Sequence, residues 1–249
     1  MSLRHILGRF AYLISAPRCV ACDLRLSPDD KALCPSCMEE LRENMSRNCS
    51  RCSRLLCRCS CSGEYLEAHG VKQCVKAFRY LRRDENNAST RLIFSLKKDN
   101  RSDVLDLCCD LLYDAIAASF NDADTMIFTA VPRRRRTRVE FGIDHAHLLS
   151  SRIAARFGAE YMPLFVSQAK RAQKTMQGTQ RIRNAKFAIK SRAELKGKIV
   201  IIIDDLITTG ASMCACAALA RQLGARRVIA ASLGITYKDK FTPPQLTYY

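Results

Sequence analysis

The chain has no tryptophan, and aromatic residues make up only 7% of its 249 positions. Platforms for stacking nucleobases are therefore few. No apolar run reaches the roughly 18 residues that a membrane span requires. Acids are outnumbered, with 24 Asp and Glu against 41 Lys and Arg, a net charge of +17. None precedes Asp23. The opening stretch, Met1 to Ala16, is basic and apolar, but Arg9 interrupts it, which argues against a secretory signal. Leu3, Ile6, Leu7, Phe10, Leu13 and Ile14 recur at helical spacing and predict a short amphipathic helix. An organelle transit peptide is the alternative; otherwise the expected location is cytoplasmic. No internal repeat is visible apart from Cys-x-x-Cys units.

What is present fills a real core. Hydrophobic residues are 48% of the chain, and its length suits one large domain, or one medium and one small. The excess positive charge is concentrated. From Arg133 to Lys198 there are 17 basic and 4 acidic residues, a local balance of +13. Charge of that density suggests a polyanionic partner such as pyrophosphate or nucleic acid. A solvated basic surface is the plainer alternative.

The 14 cysteines are read by their spacing. Cys19-x-x-Cys22, then Cys34-x-x-Cys37, is a four-thiolate zinc pattern, and without a secretory signal disulfides are the weaker reading. A second cluster offers Cys49-x-x-Cys52 as a knuckle, followed by Cys57, Cys59, Cys61 and Cys74. Its partner pair is ambiguous. Cys59 with Cys61 is the choice made here, while a crossed pairing between clusters, or a single zinc overall, stays open. Cys108, Cys109, Cys214 and Cys216 lie in apolar, helical surroundings and read as small core residues.

Along the chain, residues 1–74 form a Cys-rich zinc-binding module with short helices such as Pro35 to Asn44. A link follows near Val75 to Tyr80, and Arg91 to Lys98 is a short apolar-basic segment. Helices are expected from Ser102 to Phe120, Ile143 to Phe157 and Ala211 to Leu223. Strands are expected at Thr125 to Val131, Tyr161 to Val166, Lys186 to Lys190, Ile199 to Ile203 and Arg227 to Leu233. Gln168 to Asn184 is polar and basic without apolar periodicity. This alternation makes residues 75–249 an α/β domain with a mostly parallel sheet flanked by helices.

The run from Val200 to Ser212 carries the chemistry. Ile199 to Ile203 is β-branched throughout, as in a parallel strand covered on both faces. Asp204 and Asp205 stand where the strand ends, and ligands of open α/β sheets bind beyond the carboxyl ends of strands. Thr208, Thr209, Gly210, Ala211 and Ser212 follow at the start of a helix. Small residues let backbone N–H groups approach an anion, and hydroxyls add donors. Acids for ribose hydroxyls beside a cradle for phosphate suit a sugar phosphate. The plain alternative, a helix cap and a turn, needs only one short polar residue.

This run resembles the phosphoribosyl pyrophosphate (PRPP) motif of type I phosphoribosyltransferases, departing only at Ser212, where the family has Thr. The resemblance implies that Asp204 and Asp205 bind the ribose hydroxyls and that residues 208–212 bind the 5′-phosphate. Zinc-type knuckles before such a domain resemble the ComF family, with its ComFC and GntX-like members. The similarity extends to Leu13 to Cys22, Leu96-Lys97-Lys98, Val131-Pro132-Arg133, and Thr175, Gln177, Arg181, Asn184 and Phe187. The chain departs at Phe141, Asp144 and His145, where the family carries Arg, Asn and Gln, in the region of the second-substrate pocket. By resemblance, Val131, Pro132, Arg133 and Lys97 serve the pyrophosphate loop, with an exposed basic loop from Arg133 to Arg136 as the equal alternative. Arg171, Lys174, Arg181 and Arg183 belong to a basic lid over PRPP, with an ordinary polar loop as the alternative. His69, His145 and His147 read as surface or packing residues.

The resemblance implies a Mg²⁺-dependent phosphoribosyltransferase with structural Zn²⁺. It would bind PRPP and transfer ribosyl phosphate to an unknown acceptor. ComF-family members are associated with natural DNA uptake, which implies single-stranded DNA or competence proteins as partners. Two rivals follow: a non-catalytic single-stranded-DNA-binding protein that keeps the fold, and a regulator that senses PRPP without turning it over.

Overall fold

Five consecutive apolar residues at the start of β6 (Ile199–Ile207) are all buried, and this strand forms the middle of a five-stranded sheet. The computed structural model describes residues 17–80, 87–120, 125–133, 144–168, 187–190 and 193–236. In chain order the elements are α1 (Pro35–Met45), a 3₁₀ turn (Leu56–Arg58), α2 (Glu64–Ala68), β1 (Cys74–Tyr80), α3 (Ala88–Lys98) and α4 (Ser102–Ala117). Then come β2 (Met126–Ala130), α5 (His145–Phe157), β3 (Glu160–Tyr161), β4 (Phe165–Ser167), β5 (Phe187–Ile189), β6, α6 (Ala211–Gln222) and β7 (Arg227–Thr236).

The sheet order is β1-β7-β6-β2-β3, and every pairing in it is parallel. Strands β4 and β5 pair antiparallel as a separate ribbon. Alternation along β6 divides the interior in two. Ile199, Ile201 and Ile203 enter a core with α3, α4 and α5, whereas Val200 and Ile202 enter one with α6, α2 and the ribbon. Both faces are covered, which is why the strand is apolar without interruption. The order reverses between β6 and β2: the chain runs outward to β3 from one and to β7 from the other. Their carboxyl ends flank the crevice where α/β sheets take ligands.

Two expected elements take a different form. The segment near Val75 to Tyr80, expected as a link, is β1, paired with β7. The strand expected from Tyr161 to Val166 is split: Glu160–Tyr161 joins β2, while Phe165–Ser167 joins β5. Pro163 stands between the two pieces and has no N–H for a ladder. The segment at Arg91 to Lys98 is helical, because Asn87 caps it by accepting from the Thr90 N–H at 2.9 Å.

The Cys-rich segment covers the free edge of β1, which would otherwise present unpaired backbone groups. Asn44 of α1 donates to the Arg79 carbonyl (3.0 Å) and accepts from the Arg79 N–H (3.2 Å), acting as a substitute strand. At the other end of β1 the Cys74 N–H donates to the Ser60 carbonyl (2.9 Å). Among the described residues, no helix is long and apolar enough to cross a membrane.

Candidate functional site

Asp205 is buried at 6% exposure yet does not lack partners. Lys97, at the end of α3, places Nζ 3.2 Å from its Oδ1, and Arg133, just beyond β2, places Nη2 2.6 Å from its Oδ2. Three elements thus converge at the carboxyl ends of β6 and β2. Asp204, half-buried, accepts from the Asp205 N–H through Oδ1 at 2.9 Å. The two carboxylates have opposite characters. Burial would raise Asp205, but the charges of Lys97 and Arg133, with their hydrogen bonds, hold it below the usual carboxylate range. Burial, and then the charge of Asp205, push Asp204 up to about 8, against the pull of Lys97 and Arg133. At neutral pH the pair therefore carries one negative charge beside two cations.

The turn after β6 leads directly into α6. Gly210 adopts a left-handed φ of +79° as the N-cap residue and has no side chain of its own to cap the helix. Its N-terminal end is open to an anion, with Thr208 exposed and Thr209 and Ser212 partly so. Thr209 Oγ1 accepts from the Ala211 N–H (3.4 Å), and Thr236 of β7 donates to the Thr208 carbonyl (3.1 Å). Val131 is buried, and its N–H donates to the Ile203 carbonyl at 2.9 Å, fixing the start of the Arg133 loop against β6. Asp144 caps α5 and accepts from the Arg133 N–H (3.4 Å).

Of the residues expected at this site, the structure brings together Lys97, Arg133, Asp204 and Asp205, with Val131 and Pro132 before Arg133 and residues 208–212 after the diacid. Arg171, Lys174, Arg181 and Arg183 lie outside the described residues, as do Phe141 and the N-terminal helix. His145 is a packing residue: it is 2% exposed and its Nε2 lies 3.3 Å from Asn100 Oδ1. Burial and the nearby Arg133 charge lower its pKa, so it is neutral.

The cysteines form two groups, Cys19, Cys22, Cys34 and Cys37, and Cys49, Cys52, Cys59 and Cys61, with the sulfurs of each within 4.8 Å of one another. Cys57 belongs to neither group, and the pairing is not crossed. Both knuckles have the same backbone. In the first, Cys19 N–H donates to Leu24 carbonyl and Asp23 N–H to Cys19 carbonyl; in the second, Cys49 pairs with Arg54 and Ser53 in the same way. Asp23 and Ser53 each adopt a left-handed φ, 62° and 57°. Burial resists ionisation of Cys19 and Cys49, but N–H groups aimed at each sulfur prevail and bring both thiols down to about 7. One thiol in each group thus ionises readily, while burial and the neighbouring sulfurs push Cys37 and Cys61 up; four sulfurs gathered this closely suit a soft tetrahedral ion such as zinc, whose charge would favour the thiolates. The other four expected core cysteines, Cys108, Cys109, Cys214 and Cys216, are buried and free.

Spacing gave no warning of Lys76. It is 1% exposed on β1 and donates to Cys59 Sγ (3.3 Å) and to the Cys61 carbonyl (2.8 Å). Its ammonium offsets thiolate charge in the second group. A lysine alternating with Val75, Ala77 and Phe78 next to a cysteine cluster was the available signal.

No curated protein sequence matches the chain. Among solved structures, one of adenine phosphoribosyltransferase aligns at 21% identity over 61% of this chain and 71% of the other, with a TM-score of 0.32. The family model for the phosphoribosyl transferase domain matches residues 144–240. That span holds α5, β3 to β7, the diacid and the turn into α6, and this part of the chain is similar to a phosphoribosyl transferase domain; β1, β2, Lys97 and Arg133 lie outside the match.

Proposed function

We propose that the protein binds PRPP and transfers its ribosyl phosphate to an acceptor, in the manner of a ComF-like phosphoribosyltransferase. One observation carries this: a carboxylate pair at the end of β6 meets two cations from α3 and the β2 loop, one turn before a helix end whose N-cap is glycine. The 5′-phosphate would lie on the amides and hydroxyls of residues 208–212. The ribose hydroxyls would donate to Asp204 and Asp205. Lys97 and Arg133 would leave Asp205 for the pyrophosphate, whose charge grows as the C1–oxygen bond breaks and the acceptor nucleophile attacks C1. The anionic acids would then favour the positive charge developing on the ribose.

Mg²⁺ bound with PRPP would neutralise phosphate charge, coordinated largely by substrate and water oxygens, with the diacid as the protein's contribution. Zinc would be held by Cys19, Cys22, Cys34 and Cys37 and by Cys49, Cys52, Cys59 and Cys61, stabilising segments too short to fold alone. The test is calorimetric titration of the zinc-loaded chain with PRPP, with and without Mg²⁺, beside the Asp204→Asn/Asp205→Asn double variant. Saturable binding that the variant loses supports the proposal; wild-type protein that does not bind refutes it. Binding without turnover of any acceptor would favour the sensing role.

A second reading draws on a different surface. A groove of about 490 Å³ at the amino-terminal end of β1 and β7 is lined by Lys72, Arg221, Arg226 and Arg227, with no acid among its lining residues. It lies at the opposite end of the sheet from the diacid and would suit the backbone of single-stranded DNA. Binding that weakens steeply with salt and falls on Arg226→Glu/Arg227→Glu would support it.

A further inference from the structure

We infer that helix α2 and the second cysteine group that anchors it are a positioning element for the phosphate-binding turn, acting on Gly210 through Leu66 and Tyr65. This rests on the role given above to residues 208–212, and its test has an arm that does not.

The contact is between a side chain and bare backbone. A methyl group built on Gly210 would stand 2.8 Å from Leu66 Cδ2, 3.2 Å from its Cγ and 3.4 Å from Tyr65 Cδ1. Leu66 therefore fills the space that a β-carbon at position 210 would need, and bears on the residue that sets the entry angle of α6. Leu66 is 2% exposed and shares its core with Ile207, Met213 and Cys214, which flank the turn on both sides. Movement of Leu66 would open a void beside Gly210, and close-packed interiors transmit such shifts.

Helix α2 cannot hold this position by itself. It has five residues, too few for an isolated helix to persist, and no side-chain cap. It is held from outside at both ends. Arg51, inside the Cys49–Cys52 knuckle, forms two bonds to Glu67 (2.6 and 3.1 Å) and one to the Ser62 carbonyl (2.5 Å). Ser62 directly follows Cys61, so the helix begins only three residues after the last sulfur of the group. At the far end, Arg221 of α6 donates to the carbonyls of His69 (2.9 Å) and Gly70 (3.3 Å). Helix α2 thus spans from the cysteine group to both ends of α6. The first cysteine group has no such route, since its buried members pack into the opposite core. The asymmetry gives the second group a task beyond local folding: it fixes the backbone that would meet a phosphate.

The test uses the full, zinc-loaded chain. Leu66→Ala should keep its zinc content yet bind Mg·PRPP on the order of tenfold more weakly. Leu66→Met should restore most of the affinity. Leu41→Ala, a comparable truncation in the opposite core, should lower the melting temperature without that loss of affinity. Wild-type affinity in Leu66→Ala, or equal losses in Leu66→Ala and Leu41→Ala, would overturn the inference. Hydrogen exchange without ligand supplies the second arm. Cys59→Ser/Cys61→Ser should speed exchange at residues 208–213 and leave β2 protected. Unchanged exchange there overturns the inference whatever PRPP does. If exchange responds but wild-type protein ignores PRPP, the positioning role stands and the PRPP assignment falls.

Discussion

Replacing Asp204 by Asn should remove a loss of stability that the natural chain suffers as pH rises. In the folded protein the Asp204 carboxyl keeps its proton up to about 8, through burial and the neighbouring Asp205 charge; its ordinary value is 3.8. Between those values the folded chain holds a proton that the unfolded chain has released. Stability therefore falls with rising pH across this window and levels off above it. Asp205 works in the other direction. Its lowered pKa contributes stability that is complete above 3.8 and fades only as pH falls below that, so it adds no slope near neutrality. A full proton held over about four pH units, at about 1.4 kcal/mol each, sets a ceiling of roughly 6 kcal/mol. Asp204 retains some solvent access, and its surroundings will relax around the anion. About 2 kcal/mol lost between about pH 5 and about pH 8 is the expected size. The assay is urea unfolding of the zinc-loaded natural chain and of Asp204→Asn at several pH values. Thiols and histidines titrate alike in both, so the difference between the two curves isolates Asp204. The variant should match the natural chain near pH 5 and exceed it near pH 8. A difference that does not vary with pH, or one that favours the natural chain at alkaline pH, would refute the account of the diacid.

The same proton should appear in binding: Mg·PRPP titrated in two buffers of different ionisation enthalpy should release about one proton, and affinity should rise with pH until about 8. Gly210→Ala combines a φ of +79° with a 2.8 Å approach to Leu66, and should cost about 2 kcal/mol or more in thermal unfolding. Elemental analysis should find two zinc ions per chain, falling to one in Cys52→Ser and remaining at two in Cys57→Ser. Lys76→Met removes the buried ammonium beside Cys59, and a chelator should then strip the second group faster than the first.

The sheet's middle was legible because its strands follow a simple rule. Ile199 to Ile203 and Thr125 to Val131 are apolar on both faces, and only a doubly covered strand tolerates that. The placement of the diacid and its turn was legible because a β-branched run that ends in two acids and a Gly turn marks the carboxyl end of a strand and the start of a helix. What escaped the sequence was what tertiary partners decide. Strand β1 reads as a link because Lys76 and Arg79 break its apolar character, and it takes tertiary partners, the Cys59 sulfur and the carbonyls of Cys59 and Cys61 among them, to explain a buried ammonium there. The metal partners in the second cluster were ambiguous in spacing, since Cys57, Cys59 and Cys61 alternate; the fold separates Cys57 from the other two. The contact of Leu66 with Gly210 joins residues far apart in the chain, and no local pattern marks it.

The pairing at Asp205 shows how one arrangement can serve the site both empty and filled. Two cations and one ionised acid leave the centre with a net positive charge near neutral pH, which attracts an anion before any specific contact forms. Until one arrives, Lys97 and Arg133 rest on Asp205, so a buried carboxylate is not left without a partner, a state far costlier than a moderately strained ion pair. On the proposed function, a diphosphate with its metal would offer both cations better-matched oxygens and draw them away. Departure of the cations would leave Asp205 free to accept from a hydroxyl and would end their pull on Asp204, whose ionisation would then depend on the bound metal and ribose. On that same reading, an order of events would follow from charge: the phosphates would engage Arg133 and Lys97 before the diacid could close on the sugar. A ligand with ribose hydroxyls but no pyrophosphate has nothing to offer the two cations, and would meet an acid already occupied.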